Sequence, residues 1–167
     1  MVAGRLENLG PGSGPEKVGL DPSGLIDGSP AGILLGGCAS FADRVAIYEL
    51  IERGISAADV REYASAVALL RDDRILSQIT GLSFRSLRRL SSEGQNLNRD
   101  QTARVLRFAQ TLDKATRVFA GPKDAEDWMS TPAVGLNWAT PLRMLINPVG
   151  FELVDDFLTR MEWGVYH

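Results

Sequence analysis

With 167 residues the chain has room for one ordinary domain or two small ones. Eighteen Lys and Arg against 21 Asp and Glu leave a net charge of -3, a balance that, taken whole, argues against a nucleic-acid partner. A hydrophobic share of 44% allows a packed core, the lone Cys38 excludes an intramolecular disulfide framework, and no stretch reaches the roughly 18 apolar residues that span a bilayer.

Residues 1–40 hold ten of the 17 glycines and four of the eight prolines, with few apolar groups to offset the entropy lost on ordering. They read as a mobile tail or draped arm without a domain of its own, in which Ile33-Leu34-Leu35 fits a short strand or a docking patch. No secretory pattern follows Met1-Val2-Ala3-Gly4-Arg5, so the expected location is the cytoplasm, with no membrane contact.

From Phe41 the pattern turns helical. Phe41, Val45, Tyr48 and Leu50-Ile51 recur at helical spacing and are expected to form one inward face, closed by a left-handed cap at Gly54. Ser56 caps the next helix, with Ile55 and Val60 as a hydrophobic staple and Val60, Tyr63, Ala64, Val67 and Leu70 facing inward. Asn98 and Gln101 form a capping box at the start of the longest helix, whose buried face is Val105, Leu106, Phe108, Ala109, Leu112 and Phe119. Gly121-Pro122 ends it. No convincing strand follows residue 40, so the fold class is all-α.

Between these helices lies a helix-turn-helix pattern. Ser77 supplies the small residue, Gly81 the turn, Leu82 the apolar residue after it and Ser83 the cap of the second helix. With Leu87 and Leu90 inward, Ser83, Phe84, Arg85, Ser86, Arg88 and Arg89 are left as DNA-binding candidates. Arginine bonds guanine bidentately, and the start of such a helix suits the major groove. An ordinary helical hairpin is the competing reading. Charge favours the sharper one: residues 61–120 carry 11 basic and six acidic side chains, whereas the flanking segments are each acidic by four. Arg99, Arg104, Arg107, Lys114 and Arg117 are further phosphate candidates, or solvated partners of Asp100, Asp113 and Glu93.

Residues 121–167 hold six of the 12 aromatics, including every tryptophan, and three basic residues against seven acidic ones. Thr140-Pro141 and Asn147-Pro148 each mark a helix start, and the last helix is expected to bury Val149, Leu153, Val154, Phe157, Leu158 and Met161. Trp128 reads as core, and Trp163, beside Gly164, as facing a partner. The residues Trp128, Pro132, Thr140-Pro141-Leu142, Leu145, Gly150, Val154, Leu158, Arg160, Glu162 and Gly164-Val165-Tyr166 resemble the toxin-binding domain of the Xre/MbcA/ParS antitoxins. The helix-turn-helix and the Ile51-Glu52-Arg53-Gly54-Ile55 turn are similar to that family's Xre-like domain, and the resemblance covers about residues 45–167. Two departures stand out: Trp163 where histidine is expected, and Asn137-Trp138 where a Gly-Gly-like turn is usual.

The resemblance implies a type II antitoxin of a RES–Xre system. It would neutralise a RES-domain, NAD-consuming toxin by covering its active site, and would bind its own operator as a homodimer. With the compositional boundaries, the expected division is a Gly/Pro-rich tail (1–40), which lies outside the resemblance, an Xre-like helix-turn-helix domain (41–120) and a toxin-binding domain (121–167). The toxin-facing residues it implies are Arg160, Trp163, Gly164, Val165, Tyr166 and His167, with Trp138 and Arg143. A stand-alone regulator with a C-terminal oligomerisation domain is the alternative. No enzyme is expected: His167 and Cys38 are each the only residue of their kind, too few for a usual zinc site or a well-fixed catalytic pair. The run Gly10-Pro11-Gly12-Ser13-Gly14 lacks the Gly-Lys-Ser/Thr ending of a phosphate loop, so no cofactor or metal is assigned.

Overall fold

Local capping signals account for most of the helix starts in the computed structural model, which describes residues 29–36 and 40–164. Helix α1 (Ala31–Leu35) buries Ala31, Leu34 and Leu35 against the helices that follow, so the apolar triplet serves as a helical docking patch. Asp43 caps α2 (Arg44–Arg53) by accepting from the Ala46 amide. Ser56 accepts from the Ala58 amide to start α3 (Ala57–Ala66), and the staple pair Ile55 and Val60 is buried. A 3-10 turn at Ala68–Arg71 leads to α4 (Asp73–Thr80), α5 (Phe84–Ser92) and the 20-residue α6 (Arg99–Val118), whose Asn98–Gln101 capping box is complete. Pro122 and Pro141 occupy the first turns of α7 (Pro122–Ser130) and α8 (Pro141–Met144), and Pro148 that of α9 (Pro148–Glu162). Among the described residues there is no strand, only the isolated bridges Ser56–Asn96 and Ala133–Ala139. The fold is all-α.

Helix α6 is the axis of the core. It packs against α2 and α4 on the N-terminal side and against α7 and α9 on the other, while α1 lies across α3 and α6. Val105, Leu106, Phe108, Ala109, Leu112 and Ala115 are buried along it, and Tyr63 meets Phe108 edge-on at a centroid distance of 6.4 Å. Burial holds the Tyr63 phenol well above its ordinary pKa, with the carboxylates of Asp113 and Glu126 adding to the shift.

Two expected faces are corrected. On α2, Val45 and Tyr48 are exposed, and the inward side is Ile47, Leu50 and Ile51. The helix is rotated so that Leu50 meets the core while Tyr48 borders an open groove beside α6. On α9, Val149 and Leu153 point to solvent, 66% and 51% exposed, and Gly150, Val154 and Leu158 form the buried seam. Gly54 also departs from the expected left-handed cap. Its φ of 78° is positive but its ψ of 145° is extended, which sends the chain on so that Ile55 bonds Leu97 and Thr102.

Candidate functional site

The turn between α4 and α5 follows the expected pattern residue by residue. Gly81 adopts φ 72°, ψ 11°, a left-handed conformation that a side chain would strain. Ser77 Oγ donates to the Leu82 carbonyl at 3.1 Å, so the small residue ties the first helix to the turn. Ser83 Oγ accepts from the Ser86 amide, and Asp73 Oδ1 accepts from the Phe84 amide at 2.7 Å, a second cap supplied by the preceding helix. Leu87 is fully buried, Leu82 and Leu90 are half-buried, and Phe84, Arg85, Arg88 and Arg89 are exposed. Ser83 and Ser86 are half-buried with their hydroxyls 3.0 Å apart, so they shape the helix start while the arginines form its outer face. Arg89 pairs with Glu93 across one turn at 3.6 Å, an exposed pair that salt would screen.

The other basic candidates divide. Arg99 pairs with Glu52 at 2.6 Å. Lys114 and Arg117 turn toward α9: Lys114 Nζ donates to Asp155 Oδ1 at 2.8 Å and to Thr159 Oγ1 at 2.6 Å, while Arg117 bridges Asp113 and Glu162. Both residues therefore orient the last helix. Arg107 Nε is buried without a hydrogen-bond partner, and burial together with the neighbouring Arg104 lowers its pKa.

At the C-terminal end, Trp128 is half-buried and stacks on Phe157 at 6.0 Å with the rings 4° apart, a core role as expected. Gly135 lies directly against the Phe157 ring, leaving no room there for a side chain. The following residues, Asn137 (φ 53°) and Trp138 (φ 62°), are both left-handed, the geometry that a Gly-Gly-like turn adopts without strain. Trp138 is 69% exposed. Arg143 on α8 and Arg160 on α9 are exposed, and Trp163, at the end of α9, is 76% exposed. Gly164 is exposed with positive φ, and Val165, Tyr166 and His167 lie outside the described residues.

Helical spacing places Val149, Leu153, Arg160 and Trp163 along one side of α9, opposite Val154 and Leu158. The outward Val149 and Leu153 were missed in the sequence because their spacing alone equally suits an inward face. Two exposed apolar residues beside an arginine and a tryptophan have the composition of a protein-binding surface.

The family match falls on this part of the chain. Residues 114–164 match the family described as antitoxin Xre/MbcA/ParS, C-terminal toxin-binding domain. The "Antitoxin Xre" of Yersinia enterocolitica is 35% identical over 88 residues, covering 52% of this chain and 60% of that protein. The "Antitoxin Xre" of Photorhabdus laumondii is 35% identical over 89 residues, covering 53% and 60%. The chain thus spans about 60% of the length of the curated relatives it matches. These matches bear out the resemblance to the Xre/MbcA/ParS-type antitoxins. Among the described residues no helix is long and apolar enough to cross a membrane.

Proposed function

We propose that the protein is an antitoxin that binds a RES-domain, NAD-consuming toxin through residues 121–167, covers its active site, and represses its own operon as a homodimer through α4 and α5. The observation that carries the reading is the outward face of α9, ending in Arg160 and Trp163, within the segment that matches a toxin-binding domain. Charge supports the division of labour. The acidic C-terminal unit repels DNA phosphate, whereas α5 presents three exposed arginines beside a capped turn. The reading involves no chemistry by the chain itself. Its two surfaces bind, one to a protein and one to a phosphate backbone with base edges.

Co-expression with a RES-domain toxin encoded beside the chain's own gene tests the first surface, and the lack of any such gene favours the stand-alone regulator. Deletion of Trp163 through His167 is expected to restore toxicity while operator binding persists, and a toxin that stays silent would refute occlusion by this end. For the second surface, Arg85→Ala with Arg88→Ala is expected to weaken operator binding in a gel-shift titration at fixed salt, by about 1–3 kcal/mol per lost base contact. Both side chains are exposed, so the melting temperature should hold.

A further inference from the structure

An open cleft of about 730 Å³ runs between α3 and α5, walled by Arg61, Arg85, Ser86, Arg88, Arg89 and Ser92. Arg88 and Arg89 lie three and four residues beyond Arg85, and Ser92 lies four and three beyond them, one stripe along α5. Arg61 belongs to neither that stripe nor the helix-turn-helix. It stands on α3, which packs against α5, and its Nη1 lies 3.4 Å from Ser91 Oγ. None of the six lining residues is acidic, and Glu93 reaches only Arg89. Four guanidinium groups with one carboxylate among them leave a net positive charge whose mutual repulsion an entering polyanion relieves. Their planar fork matches a phosphate with paired hydrogen bonds.

We infer that Arg61 and the C-terminal half of α5 form a seat for a backbone phosphate of duplex DNA, an inference that rests on the DNA-binding reading above. A helix that reads base edges with its N-terminal residues leaves the major groove toward its other end, where the phosphates pass. Arg85 lies in the first turn of α5 and Ser91 in the last, so Arg61 stands at the exit end. Arg61 therefore contributes affinity without sequence preference, while Arg85 contributes to readout.

The test is fluorescence anisotropy of the full chain and Arg61→Ala over a salt series. One duplex is taken from upstream of the chain's own gene, and the other is a shuffled duplex of equal length. Loss of one phosphate contact is expected to lower the slope of log K against log salt by about 0.9. It should weaken both duplexes by the same factor, leaving their affinity ratio unchanged. Arg61→Lys keeps the cation and should keep the slope, whereas Arg85→Ala should lower the ratio. Arg61→Gln serves as a second neutral variant if the alanine alters the melting curve. An unchanged slope, or a fall in the ratio with Arg61→Ala, overturns the phosphate seat while the DNA-binding reading stands. A full chain that binds neither duplex overturns that reading itself, and the seat with it.

Discussion

Trp138 holds a left-handed conformation with most of its side chain in solvent, so its backbone works against folding while its ring packs little. A non-glycine residue there costs about 1–2 kcal/mol, and glycine would return about 0.4–1 kcal/mol of that through unfolded-chain entropy. Trp138→Gly is therefore expected to stabilise the fold by about 0.5–1 kcal/mol in urea denaturation, while weakening toxin binding by about 2 kcal/mol in calorimetry. A variant that gains stability and keeps full affinity would remove Trp138 from the interface. Tyr63 sets a different dependence. Its raised pKa keeps the phenol neutral in the fold, whereas the unfolded chain releases the proton above pH about 10. Stability from this group is complete below that pH and declines above it, since the unfolded state then binds fewer protons. Tyr63→Phe should flatten the fall in melting temperature above pH about 10 relative to the parent, and parallel curves would deny Tyr63 that role.

Helix starts were the most legible elements, because a cap is a contract between a side chain and amides within three residues. Ser56, Ser83, Asn98 with Gln101, and Asn147 all cap as their positions predict. Helix faces were less legible because a period of 3.6 residues admits more than one apolar stripe. On α9 both Val149–Leu153 and Val154–Leu158 satisfy the spacing, and Lys114, bonding Asp155 and Thr159 from α6, is part of what fixes the inward side. The same local ambiguity hid the exposure of Val45 and Tyr48 on α2. The candidate surface on α5 is legible in the sequence because its arginines are neighbours, whereas Arg61 joins them only through the packing of α3 on α5. The two faces of α9 should respond oppositely to mutation. Leu153→Asp is expected to change stability by less than about 0.5 kcal/mol and to abolish toxin binding in pull-down. Leu158→Ala, in the buried seam, should cost about 2–5 kcal/mol by denaturation. If Leu153→Asp instead unfolds the chain, α9 buries the other side.

At the scale of the molecule, the net charge of -3 conceals a basic middle between acidic ends, and α4 and α5 lie in that middle. Packing does not divide where charge does. Helix α6 supplies buried residues to both sides of residue 121, and the antitoxin-family match begins at residue 114, within α6. Two further ties cross the boundary: Glu126 of α7 accepts from the Leu69 amide at 2.7 Å, and Gln78 of α4 donates to the Leu142 carbonyl at 3.5 Å. A fragment of residues 121–167 has 47 residues and no α6 on which to rest α7 and α9. At that size a single core rarely supplies more than about 3–5 kcal/mol, and here the α6 side of it is missing. The fragment is therefore expected to show low helicity and no cooperative melt by circular dichroism. Extending it to residues 96–167 restores α6 with its capping box and the bonds of Lys114 and Arg117 to α9. A cooperative transition should return, at a lower temperature than in the full chain because the α2- and α4-facing side of α6 is then bare. Cooperative unfolding of residues 121–167 alone would show that this segment folds independently of α6, and would separate the proposed toxin-binding surface from the proposed DNA-binding one.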